Sequence, residues 1–275
     1  MTGFEFRNAL KEGRTVIGTL ITSPSPRWPA AISSCGLDFV FLDTEHIPMD
    51  RYDLSWMCRS YRGMGLPPLV RIPSPDPYKA CQVLDGGATG VVAPYVESVD
   101  EVRKLAGAIK LRPLKGKRQQ DITSGREPME PALQEYVETY NRDYALIINV
   151  ESAPAVRDLD ALLGVQGLDG VLIGPHDLSC SLGIPEDYKN PLFRKTVTEI
   201  IGKARRAGIG AGIHAAYPDE NSQEEIDYIR KCGANLVIHS ADILLFQRTL
   251  IRDIARIRES LGNKAKQSKS GRINI

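Results

Sequence analysis

The 275-residue chain lacks clustered cysteines, a dominant charge and long apolar stretches, and each gap removes a class of protein. Its five cysteines, Cys35, Cys58, Cys81, Cys180 and Cys232, are scattered and form no CxxC. They read as reduced thiols rather than as a disulfide framework or a zinc cluster. A net charge of +1 gives no global pull toward nucleic acid or membrane. No apolar run approaches membrane-spanning length, and the opening MTGFEFRNALKEGR is charged and amphipathic, without a signal-peptide core. The expected location is cytoplasmic. A GxSxG nucleophile elbow and an HxH pair on the first strand are also missing. So is a dinucleotide fingerprint, since Gly208-Ile-Gly-Ala-Gly212 has the wrong spacing and comes late in the chain.

What is present is alternation. Short apolar, β-branched runs begin at Thr15, Asp38, Pro68, Gly90, Ala145, Gly170, Gly208 and Asn235. Most are continuous, as expected of strands buried on both faces. Between them helical spacing recurs over 51–63, 77–84, 99–110, 153–163, 191–207, 220–232 and 243–261, with a capping-box match at Ser98-Val-Asp-Glu101. Eight strand–helix units in roughly 250 residues predict a (β/α)8 TIM barrel, with an open doubly wound sheet as the alternative. One barrel over residues 1–261 is expected, interrupted by an inserted segment at 111–142 and followed by a flexible basic tail, 262–275. An insertion of that length points to function or to a subunit contact.

In a TIM barrel the chemistry sits at the C-terminal ends of the strands. Here those ends carry Asp43-Thr-Glu-His46, Arg71, Pro94-Tyr95, Asn149-Val-Glu151, Gly174-Pro-His-Asp177, His214 and His239. All four histidines fall at expected strand ends and none on an expected helix. Glu151 and Asp177, at neighbouring strand tips, can share a hard divalent cation and leave positions for water and substrate. Their competing role is to cap helices, for which Ser152 and Ser179 already stand available. Arg71 interrupts a run otherwise fit for burial. A buried guanidinium needs an anion: a substrate carboxylate, an enolate oxygen or a structural acid across the barrel mouth. His46 has Asp43 three residues earlier, a spacing that suits an acid–base dyad, and Glu45 is the other acid within reach. His176, His214 and His239 stay open between ligand, substrate contact and core residue. No lysine occupies a strand end, which disfavours a Schiff-base mechanism.

The strings Leu42-Asp-Thr-Glu-His46, Val70-Arg-Ile-Pro73, Val83-Leu-Asp-Gly-Gly-Ala88, Val150-Glu-Ser152 and Gly170-Val-Leu-Ile-Gly-Pro-His-Asp-Leu-Ser179 resemble the HpcH/HpaI aldolase family of class II pyruvate aldolases. The likeness runs in order from about Gly13 to Leu261. It implies a (β/α)8 barrel whose last helix is often exchanged between protomers, a homo-oligomer (hexamer or trimer), and a divalent cofactor, Mg²⁺, Mn²⁺ or Co²⁺. The implied reaction cleaves a 4-hydroxy-2-oxo acid to pyruvate and an aldehyde through a metal-stabilised pyruvate enolate. By this resemblance Glu151 and Asp177 are the metal ligands, Arg71 steadies the enolate oxygen, and His46 with Asp43 forms the acid–base dyad. Gly174 and the N–H groups of His176 and Asp177 receive the substrate carboxylate, and Asp85 serves a neighbouring subunit's site. Asn149, on the substrate side, stands where the family has glutamine, and His176 where it has a small residue. Gln119 and Asp121 replace glycines, and His214 and His239 are additions. Relatives on this scaffold decarboxylate oxaloacetate or form carbon–carbon bonds, so both reactions stand as alternatives, as does a non-catalytic binding role.

Overall fold

Eight short strands close on themselves: β1 (Val16–Ile21), β2 (Phe39–Asp43), β3 (Pro68–Arg71), β4 (Gly90–Ala93), β5 (Ala145–Asn149), β6 (Gly170–Ile173), β7 (Gly210–Ala215) and β8 (Leu236–Ala241). Each pairs in parallel with its sequence neighbour, and β8 returns to β1, so the expected closed barrel forms rather than the open sheet. This computed structural model describes residues 1–215 and 223–262. Among these, the helices run in the order α1 (Gly3–Glu12), α2 (Trp28–Ser33), α3 (Arg51–Gly63), α4 (Pro77–Gly86), α5 (Val99–Lys110), α6 (Gly116–Thr123), α7 (Pro131–Tyr140), α8 (Ala153–Arg157) and α9 (Leu159–Leu163), then α10 (Pro175–Ser181), α11 (Pro191–Arg206), α12 (Gln223–Cys232) and α13 (Asp242–Ser260).

Side chains alternate across each strand, so one set fills the barrel and the other meets the helices. Phe39, Phe41, Leu69, Val92, Ala145, Ile147, Leu172, Leu236 and Ile238 form one buried cluster inside. Val40, Leu42, Val70, Val91, Ile148 and Val171 belong to a second, packed against helix residues such as Met57, Leu84, Leu105 and Ile200. The N-terminal mouth is stoppered by α1, held at its start by a Thr2–Glu5 capping box. Its Phe6 and Leu10 are fully buried in the inner cluster. Gly210 makes room for this plug, since a Cβ there would lie 2.8 Å from Leu10 Cδ2. Burying a side chain of this size contributes about 1.5–3 kcal/mol.

Several elements differ from the sequence expectation. The amphipathic start of the chain is a full helix. The inserted segment holds α6, which buries none of its residues, and α7, which buries only Val137. The helix expected over 153–163 breaks at Asp158 into α8 and α9. His176, read as lying on no helix, occupies the first turn of α10. The expected helix 220–232 is described from Gln223 onward, and residues 216–222 lie outside the described part. So does the tail from 263 to 275. The capping box at Ser98 and Glu101 forms as read. Among the described residues, no helix is long and apolar enough to cross a membrane.

The last helix is the exception to inward packing. Of α13 only Asp242 is buried, while Ile243, Phe246, Leu250, Ile254 and Ile257 are exposed at spacings of three and four. On β1 the outward-facing Ile17 is 45% exposed, where a barrel helix would normally cover it.

Candidate active site

The alternation that fills the barrel also builds its C-terminal mouth. The inward positions of β2 run Phe39, Phe41, Asp43; those of β3 run Leu69, Arg71; those of β5 run Ala145, Ile147, Asn149. Each ends on a polar group directly above an apolar layer. Asp43 and Arg71 are register partners on adjacent strands. They form a two-pronged pair, Arg71 Nε donating to Asp43 Oδ1 at 2.8 Å and Nη2 to Oδ2 at 2.6 Å, with Asp43 fully buried. Burial opposes ionisation of Asp43, but the hydrogen bonds and charge of Arg71 outweigh it and hold the carboxyl below its ordinary value.

That pairing corrects the expected dyad. Asp43 is committed to Arg71 and to the N–H of Glu45, and the acid beside the imidazole is Glu45. His46 Nε2 lies 3.6 Å from Glu45 Oε2, and the same oxygen is 3.2 Å from Arg71 Nε. The physical reason is that Arg71 engages Asp43 at the strand end, while Glu45 and His46 both lie beyond it. Asp43 is the last inward residue of β2, whereas His46 lies beyond the strand with its side chain half exposed at the rim. Burial raises the pKa of Glu45, and the charges of Asp43 and Asp177 add to it against the pull of Arg71.

Glu151 follows β5 and is almost fully buried; Asp177 sits in the first turn of α10. The two carboxylates converge. A Cβ placed on Gly174 would collide with Glu151 Oε2 and lie 3.5 Å from Asp177 Oδ2, so both reach one spot that glycine alone leaves open. Asn149 Nδ2 donates to Glu151 Oε2 at 3.0 Å, while Asn149 Oδ1 is buried without a partner. Burial pushes Glu151 up to about 7, with the charge of Asp177 contributing. The capping alternative fails for Asp177: the N-cap of α10 is Gly174, which makes no side-chain cap bond, and Ser179 lies inside the helix, bonded to His176 O. Ser152 does cap α8.

Four carboxylates, Asp43, Glu45, Glu151 and Asp177, therefore share one guanidinium. Asp43 and Glu151 are buried and Glu45 and Asp177 half-buried, and such an excess of negative charge is costly without a counter-ion. Paired carboxylate oxygens suit a hard divalent cation, so the donor set fits one. Among the described residues, no group of three His, Cys, Asp or Glu side chains is arranged to hold a metal ion. Two acids alone would leave coordination positions for water and substrate.

Tyr95 joins the site, and nothing in the sequence marks it beyond its place at a strand end. Its N–H donates to Glu151 Oε1 at 2.9 Å and its phenol to Asp177 Oδ1 at 3.0 Å. Its φ of 47° is a left-handed conformation that costs a tyrosine about 1–3 kcal/mol. Burial and the neighbouring carboxylates push the phenol up to about 12, so it remains a donor at neutral pH.

The remaining candidates separate. His214 faces inward, half-buried, its ring edge on Phe41 and Nε2 3.0 Å from Ser240 O. Burial lowers its pKa and the nearby Arg71 adds to this, so it forms a neutral floor. His239 shares the outward parity of Val237 and faces away from the barrel interior. His176 turns its largely exposed ring toward Glu186, with Nε2 3.6 Å from Oε1. Asp85 ends α4, at the opposite end of the barrel, where it pairs with Arg112 and takes no part in this chain's own site.

Comparison with known proteins places this arrangement. The model of the HpcH/HpaI aldolase/citrate lyase family matches residues 18–243. Over 253 residues the chain is 30% identical to the hydroxypyruvate/pyruvate aldolase of Roseovarius nubinhibens, spanning 92% of this chain and 96% of that one. It is 32% identical to the 2-keto-3-deoxy-L-rhamnonate aldolase of Klebsiella pneumoniae subsp. pneumoniae, spanning 91% of each. The crystal structure of an HpcH/HpaI aldolase from Desulfitobacterium hafniense superposes with a TM-score of 0.78 at 27% identity, over 92% of this chain and 96% of that one.

Proposed function

Because the chain belongs to the HpcH/HpaI aldolase/citrate lyase family and is an enzyme of the aldolase class, we propose that it cleaves a 4-hydroxy-2-oxo acid to pyruvate and an aldehyde with a divalent cation held by Glu151 and Asp177. The observation that carries this reading is the convergence of those two acids over Gly174, beside an arginine already fixed by Asp43. When bound, a divalent cation polarises the 2-oxo group and stabilises the negative charge that develops as the carbon–carbon bond breaks.

The protein's own residues supply the rest. Arg71 engages Asp43 through Nε and Nη2, which leaves Nη1 as the nitrogen to meet the enolate oxygen. The N–H groups of Gly174, His176 and Asp177 receive the substrate carboxylate, and Asn149 lines the same side. His46, steadied by Glu45, takes the proton from the C4 hydroxyl. The C3–C4 bond then breaks, its electrons pass into the enolate of pyruvate, and the aldehyde leaves. Protonation at C3 completes the product.

The subunits associate. Support comes from the apolar stripe along α13 and from the uncovered Ile17 on β1, two faces that match if the last helix of one copy lies on the barrel of another. Asp85, at the far end of the barrel, would then serve a neighbour's site. The enzyme acts in the cytoplasm on small molecules.

The test is pyruvate release from a panel of 4-hydroxy-2-oxo acids after dialysis against chelator, with Mg²⁺, Mn²⁺ or Co²⁺ returned singly. Loss of turnover with chelator and recovery with at least one ion is the expected result. Full activity in the absence of any cation overturns the mechanism.

A further inference from the structure

We infer that Tyr95 is the positioning residue of the cation site, a single residue that aims both carboxylates at the spot above Gly174. The inference rests on the reading just given and adds what holds two like charges in line before a cation arrives.

Glu151 and Asp177 come from separate elements, one following β5 and the other on α10, and each has two oxygens that could point elsewhere. Tyr95 fixes one oxygen of each. Its N–H holds Glu151 Oε1 and its phenol holds Asp177 Oδ1. The oxygens left over, Glu151 Oε2 and Asp177 Oδ2, are the two that crowd the position where a Gly174 Cβ would stand. The labour divides: one oxygen of each acid is tethered to Tyr95, and the other is turned to the site, where Glu151 Oε2 also accepts from Asn149 Nδ2.

Topology gives Tyr95 the right place for this. It follows β4, which lies between β3, the strand of Arg71, and β5, the strand leading to Glu151. The left-handed backbone at position 95 belongs to the same device. A bulky residue stays in that conformation only where its surroundings over-determine it, and here both its N–H and its side chain are engaged. Partners that orient metal ligands matter for affinity, and their loss typically weakens binding about 10–100-fold.

The experiment measures Mn²⁺ binding to the full chain by electron paramagnetic resonance, alongside turnover at limiting and saturating Mn²⁺. Tyr95→Phe keeps the ring and the N–H but removes the phenol that donates to Asp177, and its Mn²⁺ dissociation constant is expected to rise about tenfold or more. Turnover should fall at limiting Mn²⁺ and return toward wild type at saturation, the signature of positioning rather than chemistry. Tyr95→Gly also keeps the N–H and accepts the left-handed backbone, so it should show the same loss of affinity if Tyr95→Phe folds poorly. Tyr78→Phe, which alters another exposed rim tyrosine, should bind Mn²⁺ as wild type does. An unchanged dissociation constant in both Tyr95 variants overturns the inference, as does lost turnover that saturating Mn²⁺ fails to restore. Failure of the wild type to bind Mn²⁺, or equal binding by Glu151→Gln, overturns the underlying functional reading instead.

Discussion

At the N-terminal mouth of the barrel, Phe6 and Leu10 drop into a cluster of apolar side chains and close it, with the Leu10 carbonyl held by Asn235 and Arg205. At the C-terminal mouth the same inward rows, two residues further along each strand, carry Asp43, Arg71 and Asn149. One end is stabilising and chemically inert; the other gathers unlike and like charges at low dielectric and is costly to hold together. The difference shows how a barrel of this size tolerates a strained, over-acidic site. The layers beneath contribute stability that does not depend on the site's chemistry, so the two ends should respond separately to mutation.

The sharpest way to break that separation is Arg71→Met. It leaves the buried Asp43 and the half-buried Glu45 around a missing counter-charge, so stability should fall by about 3–5 kcal/mol while activity disappears, read from urea unfolding and pyruvate release. The double variant Asp43→Leu with Arg71→Met should recover most of the stability and none of the activity. If it recovers neither, the pair is not the source of the cost.

Leu10→Ala attacks the other end. Loss of a fully buried plug residue should cost about 2–5 kcal/mol in unfolding free energy, with kcat/KM per folded molecule unchanged. A matching loss of kcat/KM would show that the two mouths are coupled. His46→Ala, at the rim, should lower turnover by about 10²-fold or more and leave the melting temperature alone, because its ring is half exposed.

The smallest effect is a pH dependence at the boundary between the layers. Burial lowers the pKa of His214 below its ordinary 6.5. The unfolded chain therefore binds a proton more readily than the folded one, and this contribution to stability is complete above pH 6.5 and lost as pH falls below it. Urea midpoints at about pH 7 and about pH 5.5 should diverge in the wild type and converge in part in His214→Phe. An identical drop in both would assign the acid sensitivity elsewhere.

The strands and most of the outer helices were legible because their apolar runs are continuous and their breaks fall at glycine and proline. The same continuity hid which way each residue points. Alternation cannot be read when both faces are apolar, so His214 and His239 looked equivalent although one faces inward and the other outward. What decided between Asp43 and Glu45 as the neighbour of His46 was the commitment of Asp43 to Arg71 on the next strand, which no spacing in the chain displays. The helices of the inserted segment escaped because α6 buries nothing and α7 a single valine, which leaves no periodic signal. α1 had a readable Thr2–Glu5 start, and its amphipathic pattern was visible without revealing that it seals the barrel. Of the site, Glu151, Asp177, Arg71 and Gly174 could be placed from the chain alone. Tyr95 could not, because its part depends on a backbone angle.

The register that sets Asp43 opposite Arg71 also bears on how this enzyme could be redesigned. A combinatorial library at the mouth could vary positions 149 and 214 one at a time, but 43 and 71 form a single inherited letter. Changing either alone strands its mate, so new specificities at that corner are reachable only through paired substitutions.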